Sequence, residues 1–131
     1  MDHLPQFVPP TDNAARRAID ADLRELGKRP QVYAKISEVL RHVDGRVPTD
    51  LSFYRARLDE IFGLFGEERV LFGNDWPNSD GWAQYPQVLS IVREYFTAQG
   101  TAVAEKYFWK NSVAAYRWVK RAQNQPQIGL A

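Results

Sequence analysis

Apolar residues along this chain occur in two patterns that repeat in a fixed order. Short continuous apolar runs between proline, glycine or polar residues are typical of buried strands, whereas apolar residues spaced three and four apart are typical of one face of a helix. Each run is followed by a polar loop and then by an amphipathic stretch, and this order occurs three times. The pattern therefore predicts three successive βα units.

The first unit is incomplete, because only the end of a strand is expected, at residues 1–4. A loop over residues 5–10 that contains three prolines leads to a helix over residues 13–28, which Asp12 or Thr11 caps. Four apolar side chains spaced at helical intervals are predicted to face a core: Ala15, Ile19, Leu23 and Leu26.

The second and third units each have a strand and a helix. In the second unit the strand covers residues 32–37 and the helix begins at Leu51, after the cap residue Asp50. In the third, residues 70–73 are apolar throughout, as expected for a strand buried on both faces, and the helix begins near Pro86. The predicted apolar faces of the two helices are Leu51, Tyr54, Leu58, Ile61, Phe62 and Phe65, and Val88, Leu89, Val92, Tyr95 and Phe96.

Polar residues follow the three strands at nearly regular intervals. His3 and Ser37 are 34 residues apart, and Ser37 and Asp75 are 38 residues apart; one unit of a (β/α)8 barrel of about 250 residues has roughly 31. Strands joined by crossover helices run parallel, so their carboxyl ends share one edge, where α/β folds bind ligands. The predicted fold class is α/β, with these polar residues at one shared edge.

Residues 101–121 depart from this pattern, because they contain helical spacing and no further strand. Asn111 or Ser112 is the predicted N-cap of the last helix. Its predicted apolar face is formed by Val113, Tyr116, Trp118 and Val119. Aromatic residues of this region, Trp109 among them, resemble a stacking platform for bases, but their helical spacing favours a packed core.

The composition excludes several classes of protein. The 131 residues carry a net charge of +1, so there is no excess of positive charge to bind nucleic acid. No apolar run approaches the roughly 20 residues that cross a bilayer, and the first residues do not form a targeting segment. We expect a cytoplasmic protein without nucleic-acid or membrane partners. Its single domain is predicted over residues 1–121, followed by a flexible polar tail over residues 122–131.

Asp75 is the strongest candidate for a catalytic residue. It follows an apolar strand directly, at the edge where a buried sheet meets solvent, and a carboxylate there can activate water or bind a metal ion. Because the chain has no cysteine, histidine and carboxylates are its only strong metal ligands. His3 is predicted to bind a divalent cation with Asp75 if their strands converge. The alternatives are a turn formed by Asp75 and a terminal histidine without function.

Lys35 and Ser37 are candidates for substrate binding. They alternate with Tyr33 along the second strand, so all three side chains lie on one side of it. In a closed barrel that side faces the interior, and the alternative is that they pair with a structural carboxylate such as Glu38. His42 lies between charged residues in a loop, where a solvated role is expected.

Several segments of the chain together resemble the amidohydrolase-related family of metal-dependent hydrolases, which are TIM barrels. Residues 69–77, Arg-Val-Leu-Phe-Gly-Asn-Asp-Trp-Pro, are similar to the family's R-V-L-F-G-S-D-W-P strand and loop. Residues 32–37 resemble its V-Y-V-K-L-S strand, residues 2–4 its D-H-L strand end, and residues 111–114 its N-A-A segment. The resemblance extends from residue 2 to about residue 118.

The resemblance implies that the three strands are strands six, seven and eight of the barrel. Asp75 is then the strand-eight acid that takes the proton of the attacking water, and His3 is the strand-six histidine. The most similar branch contains the sugar lactonases and pyrone-dicarboxylate hydrolases, which open cyclic esters. Substrate-binding roles follow for Lys35, Ser37, Asn74 and Trp76, although Asn74 replaces the usual serine.

The resemblance also implies that part of the site is missing. The family's His-x-His pair of strand one, its strand-four ligand and its strand-five histidine have no counterpart in this sequence. Members of the lactonase branch differ in their need for metal, so both a zinc-like divalent ion and no metal are compatible with the sequence. Three strands cannot close a barrel. We therefore expect a carboxyl-terminal fragment that is inactive alone, with a missing amino-terminal half or self-association covering the sheet.

Two further functions remain open at this level. The first is an aromatic-acid decarboxylase of the same superfamily, which uses a similar strand-eight acid. The second is a non-catalytic interaction module, in which the apolar sheet face packs against a partner. The hypothesis favoured by the motifs is a hydrolase that acts on a small lactone or similar cyclic ester.

Overall fold

A computed structural model of the chain describes residues 1–4 and 11–125. The predicted proline-containing loop and the tail residues from 126 onward lie outside these ranges. In the described part the chain is a mixed α/β structure, in chain order α1 (Asn13–Gly27), β1 (Ala34–Ile36), α2 (Leu51–Phe65), β2 (Val70–Phe72), a 3-10 turn (Asn78–Gly81), α3 (Tyr85–Ala98), α4 (Thr101–Glu105), a π-helical turn (Lys106–Lys110) and α5 (Asn111–Ala115).

Helix boundaries follow the predicted capping signals closely. The Asp12 carboxylate accepts a hydrogen bond from the Ala15 N–H at 2.7 Å and begins α1, and Asp50 accepts from the Ser52 N–H to begin α2. Helix α2 ends at Gly66, whose φ of 69° is readily adopted by glycine. The predicted start of α3 near Pro86 is also confirmed.

The sheet of the described residues contains β1 and β2, which pair in parallel. The register places Ala34 opposite Val70 and Ile36 opposite Phe72. Residues 1–4 continue this arrangement on the free side of β1, because the Lys35 N–H donates to the Met1 carbonyl at 3.0 Å and the Leu4 N–H donates to the Ser37 carbonyl at 2.8 Å. Three chain segments therefore run side by side in the same direction, as predicted, although the strands are shorter.

The core lies between this sheet and the helices that follow each strand. It contains Ala34 and Ile36 of β1, Val70 of β2, four residues of the predicted apolar face of α3, and five of the six predicted for α2; Phe62 is partly buried. Leu23 is the fully buried member of the predicted face of α1, and the other three are partly exposed. Helix α1 approaches α2 closely at Gly27, where a Cβ would lie 2.9 Å from the Leu64 carbonyl oxygen.

The prediction for the last helix is wrong about where the helix ends and about the burial of its apolar face. The helix ends at Ala115, because Arg117 takes a left-handed φ of 49° and the Trp118 N–H bonds back to the Val113 carbonyl. Consequently Tyr116 and Trp118 are exposed, at 64% and 40% of their surface. The large exposed apolar side chains of this region are Trp109, Tyr116, Trp118 and Val119, so the expectation that they pack in a core is not met.

The predicted capping role of Asn111 is also wrong. Residues on both sides of Asn111 are helical, and its side chain is buried rather than placed at a helix start. Its amide Nδ2 donates to the Glu67 and Val70 carbonyls at 2.7 and 2.6 Å. Asn111 therefore fixes the beginning of β2 against the terminal helices. No helix in the described residues is both long and apolar enough to cross a membrane.

Candidate active site

The carboxyl ends of the three parallel segments bring His3, Glu38 and Asp75 together. His3 Nδ1 lies 3.3 Å from Glu38 Oε2 and 3.9 Å from Asp75 Oδ1. One ligand atom from each residue lies within 4.8 Å of the other two. The predicted convergence of His3 and Asp75 is therefore observed in this structure, and it includes a second carboxylate.

The same three residues share an uncommon backbone conformation. The φ angles of His3, Glu38 and Asp75 are 62°, 53° and 58°, in the left-handed region that residues other than glycine seldom occupy. Such conformations cost on the order of 1–3 kcal/mol each and are concentrated at functional sites. Each strand thus ends in a sharp turn that places one polar side chain at the shared edge of the sheet.

In the loop after β2, the side chains of Asn74 and Asp75 have different partners. Asn74 forms the turn, because its Oδ1 accepts the Trp76 N–H at 3.1 Å and its carbonyl accepts the Ser79 hydroxyl at 3.0 Å. The Asp75 carboxylate faces His3 and accepts a long hydrogen bond, 3.4 Å, from the Asn78 amide, while the Asp75 carbonyl accepts the Ser79 N–H at 3.1 Å. The Asn74 side chain therefore caps this turn, and the Asp75 carboxylate lies beside His3.

Lys35 and Ser37 lie on the same side of β1, next to this cluster. Lys35 Nζ contacts Asp2 Oδ2 at 3.0 Å, so its structural partner is Asp2 and not Glu38. The Ser37 hydroxyl lies 3.2 Å from His3 Nδ1 and 3.5 Å from Asp2 Oδ1. The hydrogen bond to Asp2 raises the pKa of Lys35 above its usual value. Burial would raise the pKa of Asp2, but the bonds from Lys35 and the His3 N–H lower it overall.

A cleft of about 320 Å³ opens over these groups. It is lined by Asp2, His3, Lys35, Ser37, Phe72, Gly73, Asn74 and Asp75. A second cleft, of about 400 Å³, adjoins it on the other side of Lys35 and is bordered by Tyr116. Trp76 follows the lining residue Asp75 in the chain and has 61% of its surface exposed. His42, as predicted, is exposed, and its ring lies edge-on to Trp82 with the centroids 6.4 Å apart.

Gly73 allows Lys35 and Ser37 to lie close to β2. A Cβ at position 73 would be 2.7 Å from Lys35 Cδ and 2.9 Å from Ser37 Cβ, closer than real contacts of this kind. We expect Gly73→Ala to lower the free energy of unfolding by about 1–3 kcal/mol, as overpacking does in other cores. Urea unfolding measures this. Gly63→Ala is the control, because no atom of the described residues lies within 4 Å of a Cβ there; a Gly73→Ala protein as stable as wild type would contradict the prediction.

Glu38 is the site residue that sequence reasoning missed. The sequence predicts it only as a structural partner for Lys35, whereas it contacts His3 and also Arg41, at 3.2 Å. The available signal was positional: Glu38 follows the second strand as Asp75 follows the third and as His3 ends the first. Glu38 lies 35 residues after His3 and 37 residues before Asp75. These two intervals are more nearly equal than the 34 and 38 residues measured from Ser37.

Comparisons with known proteins identify the family of this chain. A family model described as Amidohydrolase matches residues 1–118. The chain belongs to the amidohydrolase family. Among its amidohydrolase relatives, L-fucono-1,5-lactonase of Burkholderia multivorans is 31% identical over 106 residues, which are 79% of this chain and 36% of the lactonase. The predicted family, and the similarity to a lactonase, are thus confirmed.

Solved amidohydrolase structures support the fold. An amidohydrolase from Burkholderia multivorans, crystallised once with HEPES and once with zinc bound, is 27% identical and superposes with TM-scores of 0.75 and 0.76. These matches cover 91% and 90% of this chain, and 44% and 43% of the other. A putative 2-pyrone-4,6-dicarboxylic acid hydrolase from Pseudomonas putida shares the fold at 17% identity, with a TM-score of 0.62. This chain spans less than half the length of these amidohydrolase relatives.

Proposed function

We propose that this chain forms part of the active site of a hydrolase that opens lactones or similar cyclic esters. The observation that supports the proposal is the approach of Asp75 to His3 at the carboxyl ends of parallel segments, in a chain of the amidohydrolase family. Its similarity to L-fucono-1,5-lactonase favours a sugar lactone as substrate. The three segments would be strands six to eight of a barrel whose other strands complete the cleft.

In the proposed reaction Asp75 is the general base. Its carboxylate takes a proton from water as the water oxygen bonds to the lactone carbonyl carbon. The ring C–O bond then breaks, and the leaving oxygen receives that proton, so the lactone and one water give one hydroxy acid. The Asp75 carboxylate suits this step because it is partly buried and lies at the cleft, facing His3.

The residues also fit a divalent metal ion such as zinc. His3 and Asp75 supply the nitrogen and oxygen ligands that zinc binds, and their atoms are close enough to share one ion. An ion bound there would act as a Lewis acid toward the lactone carbonyl and lower the pKa of a bound water. The Burkholderia amidohydrolase with zinc bound supports a zinc-like ion for this chain.

Four further residues are proposed to contact the substrate. The Lys35 ammonium and the Ser37 hydroxyl lie in the cleft, where they can donate hydrogen bonds to hydroxyl or carboxylate oxygens of the lactone and its product. The exposed Trp76 ring can pack on the apolar face of a sugar ring. Asn74 positions Trp76 through its turn and is the least direct of the four.

The proposal is tested by assaying turnover of a panel of substrates. The panel contains sugar 1,4- and 1,5-lactones, pyrone dicarboxylates and aromatic carboxylic acids, and the protein is assayed alone and fused to the amino-terminal part of the Burkholderia lactonase. We expect the fusion to hydrolyse sugar lactones. Release of carbon dioxide from aromatic acids without lactone hydrolysis would instead identify a decarboxylase. A fusion that folds and turns over no member of the panel would contradict the hydrolase proposal and favour an interaction module.

A further inference from the structure

Glu38 completes a set of three side chains around one point, and its two carboxylate oxygens have different partners. Oε1 receives the Arg41 guanidinium at 3.2 Å, whereas Oε2 lies 3.3 Å from His3 Nδ1. Both Glu38 and Arg41 are mostly buried, with about a fifth of each side chain exposed. The first oxygen is therefore neutralised by Arg41, and the second is directed at the space shared with His3 and Asp75.

The spacing of the three groups suits a small cation. Two ligands at about 2.0–2.1 Å from a tetrahedral zinc ion are roughly 3.3 Å apart. The separation of Glu38 Oε2 and His3 Nδ1 is 3.3 Å, and that of Asp75 Oδ1 and His3 Nδ1 is 3.9 Å. All three residues are partly buried, and nitrogen with two carboxylate oxygens is a donor set that zinc and manganese bind.

Arg41 is itself held in place by the neighbouring loops. Its guanidinium donates to the Leu40 and Leu4 carbonyls at 3.2 and 3.4 Å and lies 5.1 Å from the centre of the Trp82 ring. Groups that orient a ligand in this way raise the affinity of metal sites. The contact with Trp82 links the loop after β2 to the carboxylate that follows β1.

We propose that Glu38, held by Arg41, is the third protein ligand of a divalent metal site with His3 and Asp75. The inference deepens the proposed function and rests on it for the presence of a metal ion. It makes a separate claim, however, because all three ligands belong to this chain. The 131-residue chain should therefore bind one zinc ion by itself, whether or not it hydrolyses a lactone.

Zinc binding by the purified chain tests the inference directly. Isothermal titration with ZnCl₂, with a chelator as competitor, measures stoichiometry and affinity for the wild type and for Glu38→Gln. We expect one ion per chain, and an affinity lowered about 100-fold or more in Glu38→Gln. The amide oxygen of this variant can still accept a hydrogen bond from His3. If Glu38 only oriented the imidazole, Glu38→Gln would therefore change the zinc affinity little. For Arg41→Met, which leaves all three ligands, we expect a loss of about 10-fold.

Glu60→Gln is the matched control, because Glu60 also pairs with an arginine, Arg57, but lies on the exposed side of α2. Its zinc affinity should equal that of wild type. Thermal unfolding with and without zinc provides a second readout, since an ion that binds the folded state raises Tm. A Glu38→Gln chain with the zinc affinity of the control, or a folded wild-type chain that binds no zinc, overturns the inference. Zinc binding by the chain, combined with a fusion protein that folds and hydrolyses no lactone, leaves the inference standing and contradicts the proposed function.

Discussion

Replacing Asp75 by asparagine should lower kcat for lactone hydrolysis by about 10²–10⁴-fold in the fusion protein, which is the usual contribution of a positioned general base. Asparagine has nearly the shape of aspartate, and its amide oxygen can still accept the Asn78 bond, so the loop should keep its structure. It cannot accept a proton from water at neutral pH. We therefore expect the loss in kcat, with a smaller change in KM. Steady-state kinetics with a sugar lactone measures both.

Asp80→Asn is the control for this experiment. Asp80 lies in the 3-10 turn five residues after Asp75, is exposed, and carries the same charge. Asp80→Asn removes one negative charge from the loop, as Asp75→Asn does, but leaves the cleft unchanged. Turnover by Asp80→Asn should therefore stay near that of wild type. Equal kcat in the Asp75→Asn and wild-type proteins would exclude Asp75 as the base. An equal loss in both variants would instead show that the effect is electrostatic and not specific to the site.

The parts of the fold that could be predicted from the sequence are those with local causes. Helices α1 and α2 begin at aspartate caps whose side chains bond the first free N–H groups, and these signals are contained in a few neighbouring residues. The third strand is recognised because an apolar run ends abruptly at a polar residue. The direction of the strands follows from the intervening helices, which only a parallel arrangement accommodates.

The site is predicted less completely because it depends on contacts distant in sequence. Asp75 and His3 can be predicted from their positions at strand ends. Glu38 is placed by its contact with Arg41 and by a left-handed backbone conformation, and its residue type predicts neither. A glycine at such a φ would have signalled a turn. A glutamate there is interpreted as an ordinary surface charge until its neighbours are known.

The terminal region shows the opposite error, in which a local pattern is given too much weight. Helical spacing of aromatic residues predicts a buried face through Val119, but the helix ends at Ala115, and Arg117, two residues later, takes a left-handed φ. Of the exposed aromatic residues, Tyr116 borders the second cleft beside Lys35 and Leu71 of the sheet. In the proposed barrel further strands would lie near this cleft and give the Tyr116 ring an apolar environment.

Tyr107→Ala should lower the free energy of unfolding by about 3–5 kcal/mol, the range found for truncating large buried aromatic side chains. Tyr107 is fully buried, and its ring stacks on Phe96 with the centroids 3.6 Å apart and packs edge-on against Phe72 of β2. Its hydroxyl donates to the Ile36 carbonyl at 2.9 Å, where β1 ends. Urea unfolding followed by circular dichroism measures the change.

Two variants separate the sources of this loss. Tyr107→Phe keeps the ring and removes the hydroxyl, which leaves the buried Ile36 carbonyl without that donor and should cost about 1–3 kcal/mol. Tyr116→Ala removes the same side chain from an exposed position and should change stability by less than about 0.5 kcal/mol. Similar losses in Tyr107→Ala and Tyr116→Ala would contradict the assigned core. Because Ile36 immediately precedes Ser37 and Glu38, a zinc affinity lowered in Tyr107→Phe would show that this hydrogen bond also holds the strand end that carries the site.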